Sequence, residues 1–253
     1  MNTMSHEKRF IAMAQTYDEM APYCVPGYDF MQDELLKLIP FSNNDNFTLV
    51  DLGAGSGRFL EKVCCAFPHV QCYHVDYSDT FQRISQERLK EFSNRITYIN
   101  SSLEEPWENS IPITVDCIVS MNAIHHLTND EKNDLYKRVI KKLNARGAFF
   151  NSDEIKAIDD AVYLRNMLFW TDHVDEVKKH ISNDLFDSYN SWCEHFDKWK
   201  DRNITKIHEA KTKADDIHCE VHKQIEWMKQ GGLSEVDVYI RYHLWAIFGG
   251  YKI

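Results

Sequence analysis

The sequence has 253 residues, with 29 Lys and Arg against 39 Asp and Glu, a formal net charge of −10. That length can bury one substantial core plus an accessory region, and the acidic balance argues against a surface built to hold nucleic acid non-specifically. No apolar run approaches the length of a bilayer span, and the opening MNTMSHEKRF lacks the apolar core of a signal peptide, so a cytoplasmic protein with no membrane contact is expected.

Residues 9–21 read as an amphipathic helix with Phe10, Ile11, Met13, Ala14 and Tyr17 on its apolar face, broken by Pro22 and Pro26-Gly27. A second helix is expected from Tyr28 to Ile39, ended by Pro40. The polar SNNDN then delivers the chain to FTLVDLGAGSG, residues 47–57, an apolar run carrying one acid, Asp51, that breaks into glycines at 53, 55 and 57. This is the pattern of a strand turning sharply into a helix over Arg58 to Phe67. Gly53 can take dihedrals closed to other residues, and Gly55 leaves the backbone bare for a ligand. A second strand, Val70 to Val75, ends in Asp76. An acid about 20 residues beyond such glycines can accept both hydroxyls of a ribose.

A dinucleotide site favours G-x-G-x-x-G, whereas here G-A-G-S-G runs into Arg58 and Phe59. Asp51 places negative charge beside the turn, which repels a pyrophosphate and suits a cationic or amine-bearing ligand. An NAD-dependent dehydrogenase is disfavoured on both counts. The stretch VDLGAGSG, 50–57, resembles the first motif of class I S-adenosylmethionine-dependent methyltransferases of the small-molecule type.

Further along, Ser78 is placed to cap a helix carrying Phe81, Ile84, Leu89 and Phe92; RITYIN, 95–100, is strand three and Val115 to Met121 strand four. A helix over Asp130 to Leu143 follows, and Gly147 opens strand five, AFFNSDE. Strands joined by helices argue for a mostly parallel sheet covered on both faces, with the ligand loops along one rim. From Ile155 to His208 the chain reads as helical and unusually aromatic, a cap over the substrate side, and the charged run 199–216 as a hinge or exposed connection. Glu220 to Gly231 is the last large helix, stopped by Gly231-Gly232. Leu233 to Tyr242 and Leu244 to Tyr251 are too close for a crossover helix and should pair antiparallel. The expected divisions are 1–154 (N-terminal helices and cofactor-binding core), 155–215 (cap) and 216–253 (helix and strand pair completing the core).

The resemblance covers nearly the whole chain, most strongly 47–154 and 216–253, and implies a Rossmann-like, doubly wound α/β sheet of seven strands with the last antiparallel, plus N-terminal helices and a helical cap inserted after strand five. It implies S-adenosyl-L-methionine as cofactor, with S-adenosyl-L-homocysteine as product. Asp51, Gly53, Gly55 and Gly57 match the motif around its methionine part, Asp76 the ribose acid, and Tyr77 the position against adenine. Tyr17 resembles a lid residue, Met121 lies near the reacting centre, and Ser102, with the Leu103 N–H, stands where the family often has an adenine-binding aspartate. His125 and His126, in NAIHHL, resemble the x-x-x-H-H-L after strand four. They are candidates for substrate contact or proton acceptance, alongside packing and helix-capping roles. Tyr23, Tyr28, Asn122, Arg165 and Trp170 are the substrate-binding candidates.

The expected chemistry is methyl transfer to an oxygen or nitrogen, in preference to carbon, of a small molecule with an apolar or planar part. Three alternatives stand beside it: a tRNA-modifying enzyme of the same fold, a carboxymethyl-cofactor-forming enzyme using Arg165 or Arg241, and a non-catalytic cofactor-binding regulatory subunit. No metal trio of the catechol type is found, and no metal is expected. Stable nucleic acid binding is not expected either; the N-terminal helices and the cap are the surfaces a homodimer would use. Seven cysteines without framework spacing read as free thiols.

Overall fold

A computed structural model describes residues 6–213 and 215–253, with side chains from Ala14 onward. Phe10, Ile11 and Met13 of the expected apolar face lie outside the residues whose side chains are described. The first helix, α1 (His6–Cys24), runs through Pro22 instead of stopping there, and α2 (Tyr28–Leu38) follows after the left-handed Gly27. The core then alternates β1 (Thr48–Leu52), α3 (Arg58–Ala66), β2 (Gln71–Asp76), α4 (Asp79–Arg88), β3 (Ile96–Asn100), β4 (Val115–Met121), α5 (Asn129–Lys142) and β5 (Leu143–Lys156).

Two caps behave as their sequences require. The Ser78 hydroxyl accepts the Phe81 N–H at the start of α4, and Thr128 with Glu131 forms a reciprocal capping box on α5. After β5 come α6 (Asp160–Val177) and α7 (Phe186–Lys200), the helical cap, then a two-residue strand β6 (Cys219–Glu220), α8 (Val221–Gly231), β7 (Leu233–Tyr242) and β8 (Trp245–Lys252).

The strand order is β3-β2-β1-β4-β5-β8-β7, with β6 pairing off the path onto β5. The strands β1 to β5 pair in parallel, while β8 runs antiparallel to both β5 and β7. Only glycine allows that last insertion: a Cβ on Gly249 would lie 2.0 Å from the Phe149 carbonyl oxygen. Two apolar layers cover the sheet. On one side α1, α2, α3 and the cap aromatics pack around Leu49 and Phe150; on the other, α5 and α8 pack around Val50 and Phe149.

The connection over 199–216, expected as a hinge or exposed run, is mostly exposed over 205–213, but Trp199, Asn203 and Asp216 are buried and anchor its two ends. All seven cysteines are free thiols. None of the described helices is long and apolar enough to cross a membrane.

Candidate active site

The glycine turn is laced to the end of β2. Gly53 and Ala54 donate their N–H groups to the Val75 carbonyl at 2.8 and 3.1 Å. Asp76 accepts the Gly55 N–H at 2.9 Å on one oxygen and the Ser78 N–H at 2.8 Å on the other. From below, the buried His74 holds the Gly55 carbonyl through Nε2 at 2.9 Å, and burial pushes its pKa down, favouring the neutral ring. Gly53 has φ +71°, and a Cβ there would sit 2.3 Å from the Ala123 Cβ. Gly55, φ +54°, would meet nothing nearer than 3.9 Å, so its bare face opens onto space. Beneath the turn Asp51 is only 2% exposed. Burial first, and then the neighbouring charge of Asp76, push its carboxyl up to about 8.

That turn bounds a cavity of about 790 Å³. Of the residues singled out in sequence for the cofactor, Tyr17, Asp51, Gly53, Gly55, Asp76, Tyr77, Ser102, Leu103 and Met121 line it. Gly57 does not. It is left-handed, φ +77°, and caps α3, where a Cβ would strike Ser85 Oγ at 2.4 Å and Leu89 Cδ1 at 2.8 Å, so its smallness serves the packing of α3 on α4. Gln32, Phe81 and Asn100 also line the cavity, brought there by helix packing and by the end of β3.

A second, smaller cavity of about 120 Å³ lies under the cap, walled by Trp170, Trp192, Phe196 and Trp199. Tyr17, Asn122 and His126 line both cavities. The Tyr17 ring packs edge-on against Phe81 at 6.0 Å and lies tilted against Trp192 at 5.7 Å, tying one cavity's wall to the other's. Asn122 takes a left-handed backbone, φ 51°, and its N–H donates to the Ser152 carbonyl at 2.9 Å. Of the substrate candidates, Asn122 and Trp170 therefore reach the smaller cavity, while Tyr28 lines the larger. Tyr23, 48% exposed, and Arg165, also exposed, line neither: they lie on helix faces turned to solvent.

Histidines and acids converge beside that shared wall. His125 is buried, with Nδ1 2.5 Å from Asp153 Oδ1, and its backbone N–H donates to Asp153 Oδ2 at 2.9 Å. Burial lowers the imidazole pKa, but Asp153 and Glu154 outweigh it and lift it to about 9, so His125 is an imidazolium clasp between the β4 loop and β5. His126 holds Nδ1 3.1 Å from Asp216. His218 Nε2 lies 2.7 Å from Glu154, and its Nδ1 meets the Tyr163 hydroxyl at 2.5 Å.

Asp216 and His218 arrive because the chain between them is stitched down. The Ile217 N–H donates to the His125 carbonyl at 2.8 Å, and its carbonyl accepts from Lys132 Nζ at 2.7 Å. Burial pushes the Lys132 ammonium down to about 8. Asp153 and Glu154 end the strand AFFNSDE read from the sequence, whereas Asp216 and His218 were not singled out there. Their signal was the D-x-H spacing, which puts both side chains on one side of an extended segment.

A family model described as a methyltransferase domain matches residues 50–149. A Bacillus cereus protein described as an uncharacterized methyltransferase is 32% identical over 158 residues, covering 60% of this chain and 68% of that relative. Among solved structures, an O-methyltransferase family protein from Burkholderia thailandensis aligns with a TM-score of 0.67 at 15% identity over 98% of the chain. An O-methyltransferase family 2 protein from Planctomyces limnophilus, solved in complex with apigenin, aligns with a TM-score of 0.61 at 13% identity over the whole chain. The chain spans 63% of the length of each of those two structures.

Proposed function

The chain belongs to the class I S-adenosylmethionine-dependent methyltransferases, and from that premise we propose that it methylates an oxygen or nitrogen atom of a small molecule held in the aromatic cavity under α6 and α7. One observation carries this reading: the larger cavity, lined by the glycine turn, meets the smaller aromatic one at Tyr17, Asn122 and His126. A donor held in the first and an acceptor held in the second would have their reacting atoms at that shared wall, where alignment does most of the work.

The residues fit the cofactor. Asp51 is a buried carboxyl whose charged neighbour is another acid, so an ammonium group there supplies the missing countercharge. Asp76 has each oxygen fixed by one backbone N–H and keeps lone pairs for ribose hydroxyls. Gly55 offers bare backbone, and Tyr77, Ser102 and Leu103 line the far part of the cavity. When bound, S-adenosylmethionine supplies a methyl group already activated on a sulfonium.

The chain's own residues then orient the acceptor and exclude water. Trp170, Trp192 and Phe196 favour an acceptor with a planar or apolar part. His126, steadied by Asp216, is the ring placed to touch the acceptor atom, and His125 holds the loop that presents it. Carboxymethyl-cofactor formation loses its support, since Arg165 and Arg241 are both exposed and outside the two cavities.

Calorimetric titration with S-adenosylmethionine and S-adenosylhomocysteine, with NAD as control, tests the cofactor half of the reading. Micromolar or tighter binding of both, weakened at least about tenfold by Asp76→Ala, is the expected result. Absence of binding in folded protein free of retained ligand refutes it. Planar phenols and amines then form the first acceptor panel.

A further inference from the structure

We propose that Glu154, Asp216 and His218 form a binding site for a divalent transition-metal ion of the zinc class, at the edge of the smaller cavity. The three side chains come from the end of β5 and from the extended segment before β6, and their ligand atoms all lie within 4.8 Å of one another. All three are buried. Two carboxylates and an imidazole sharing a dry pocket need a common partner, or each must find its own.

The hydrogen bonding points to a common partner. His218 Nε2 and Glu154 Oε2 approach to 2.7 Å, yet neither atom makes a hydrogen bond, so the ring N–H direction and the carboxylate oxygen are not aligned on each other. Two atoms this close without hydrogen-bond alignment, with the Asp216 carboxylate beside them, leave both free to turn toward a shared third centre. The other ring nitrogen is already committed: His218 Nδ1 lies 2.5 Å from the Tyr163 hydroxyl. An Nδ1–H donated to that oxygen leaves Nε2 as a bare lone pair, which is how an outer partner fixes a metal-binding tautomer. A mixed imidazole–carboxylate set suits zinc, manganese or ferrous iron better than magnesium, which prefers oxygen alone.

Three protein ligands leave a coordination position open. Glu154 and Asp216 both line the smaller cavity, so that position would face the acceptor. This last point rests on the acceptor reading above: an acceptor whose reacting oxygen or nitrogen can ligate a metal would be held at the wall shared with the donor. Binding of the metal itself does not depend on that reading.

The test uses the full-length chain stripped with a chelator. Co²⁺ is titrated as a spectroscopic probe, displacement by Zn²⁺ is followed, and S-adenosylhomocysteine affinity is measured in parallel on the same samples. One equivalent of Co²⁺ with visible ligand-field absorption is expected, lost in His218→Ala and Glu154→Gln and retained in the surface variant His180→Ala. Tyr163→Phe should weaken Co²⁺ by about tenfold or more while leaving the ligand set intact. If the alanine variant does not fold, the near-isosteric Glu154→Gln carries the same comparison. Absence of a stoichiometric Co²⁺ complex in the wild type, or binding unchanged in these variants, overturns the proposal. Metal uptake without S-adenosylhomocysteine binding would sink the cofactor reading and leave the metal site standing; the converse would do the opposite.

Discussion

Asp51 makes the ligand-free protein sensitive to pH in the direction opposite to an ordinary surface acid. Its folded pKa of about 8 stands well above the unfolded value of about 3.9. Between those values the native state holds a proton that the unfolded chain has released, so stability falls as pH rises and its loss is complete only above the folded value. Asp51→Asn should therefore raise the melting temperature of the ligand-free protein at pH 8 by on the order of 5 °C, and change it little at pH 4. The same substitution should weaken S-adenosylhomocysteine, since it removes the charge that answers an ammonium; an equal melting shift at both pH values would refute the assignment. The glycines divide in the same measurable way. Gly53→Ala drives a methyl into Ala123 and should cost on the order of 3 kcal/mol of stability. Gly55→Ala, whose Cβ meets only open space, should cost about 1 kcal/mol and fall mainly on cofactor affinity, read by melting and calorimetry side by side. Asp51, Gly53, Gly55 and Asp76 were legible because their placement depends on one local strand–turn–helix and one parallel neighbour. Gly57 shows the limit, for its purpose lies in Ser85 and Leu89 of another helix, which no spacing within the motif reveals.

At the scale of elements, α1 reaches the cavity through Tyr17, and the next residue fastens it. Asp18 takes Arg88 from α4 at 2.8 Å and Arg58 from α3 at 3.0 Å, while its carbonyl accepts a further Arg58 N–H at 2.6 Å. All three side chains are partly buried, and each guanidinium crosses from one helix to another, which gives this cluster more grip than an isolated surface pair. Asp18→Ala should leave the sheet intact but loosen α1, weakening S-adenosylhomocysteine about tenfold and increasing amide exchange over residues 14–24. Unchanged exchange there would show that apolar packing alone seats the helix. Elements themselves were largely readable: strand four was expected over Val115 to Met121 and forms there, because a buried parallel strand writes itself as a mainly apolar run, here interrupted only by Asp116 and Ser120. The exposed middle of the connection over 199–216 was readable from its charge, but the anchoring of its ends was not, because it comes from distant partners. Trp199 stacks within the cap, and Ile217, just beyond the run, is bonded to His125 and Lys132, contacts that charge density along the chain does not announce.

Across the whole molecule, the sheet supplies one cavity and the cap the other, and only the wall between them belongs to both. Substitutions should separate accordingly. Trp192 lines the smaller cavity alone, so Trp192→Phe, which removes volume while keeping an aromatic surface, should leave S-adenosylhomocysteine affinity within about twofold. Its effect should appear in which acceptors are methylated, favouring bulkier ones, with a change in KM larger than the change in kcat. Tyr17 lines both cavities and packs on Phe81 and on Trp192, so Tyr17→Ala should weaken the cofactor and lower turnover together. The comparison needs both variants. If Trp192→Phe weakened cofactor binding as much as Tyr17→Ala, the two cavities would be one compartment and the cap would bind the donor. If neither variant altered acceptor choice, the acceptor would lie outside the cap. Only the split, with Tyr17 felt on both sides and Trp192 on one, agrees with methyl transfer across a wall built by α1 and the loop after β4.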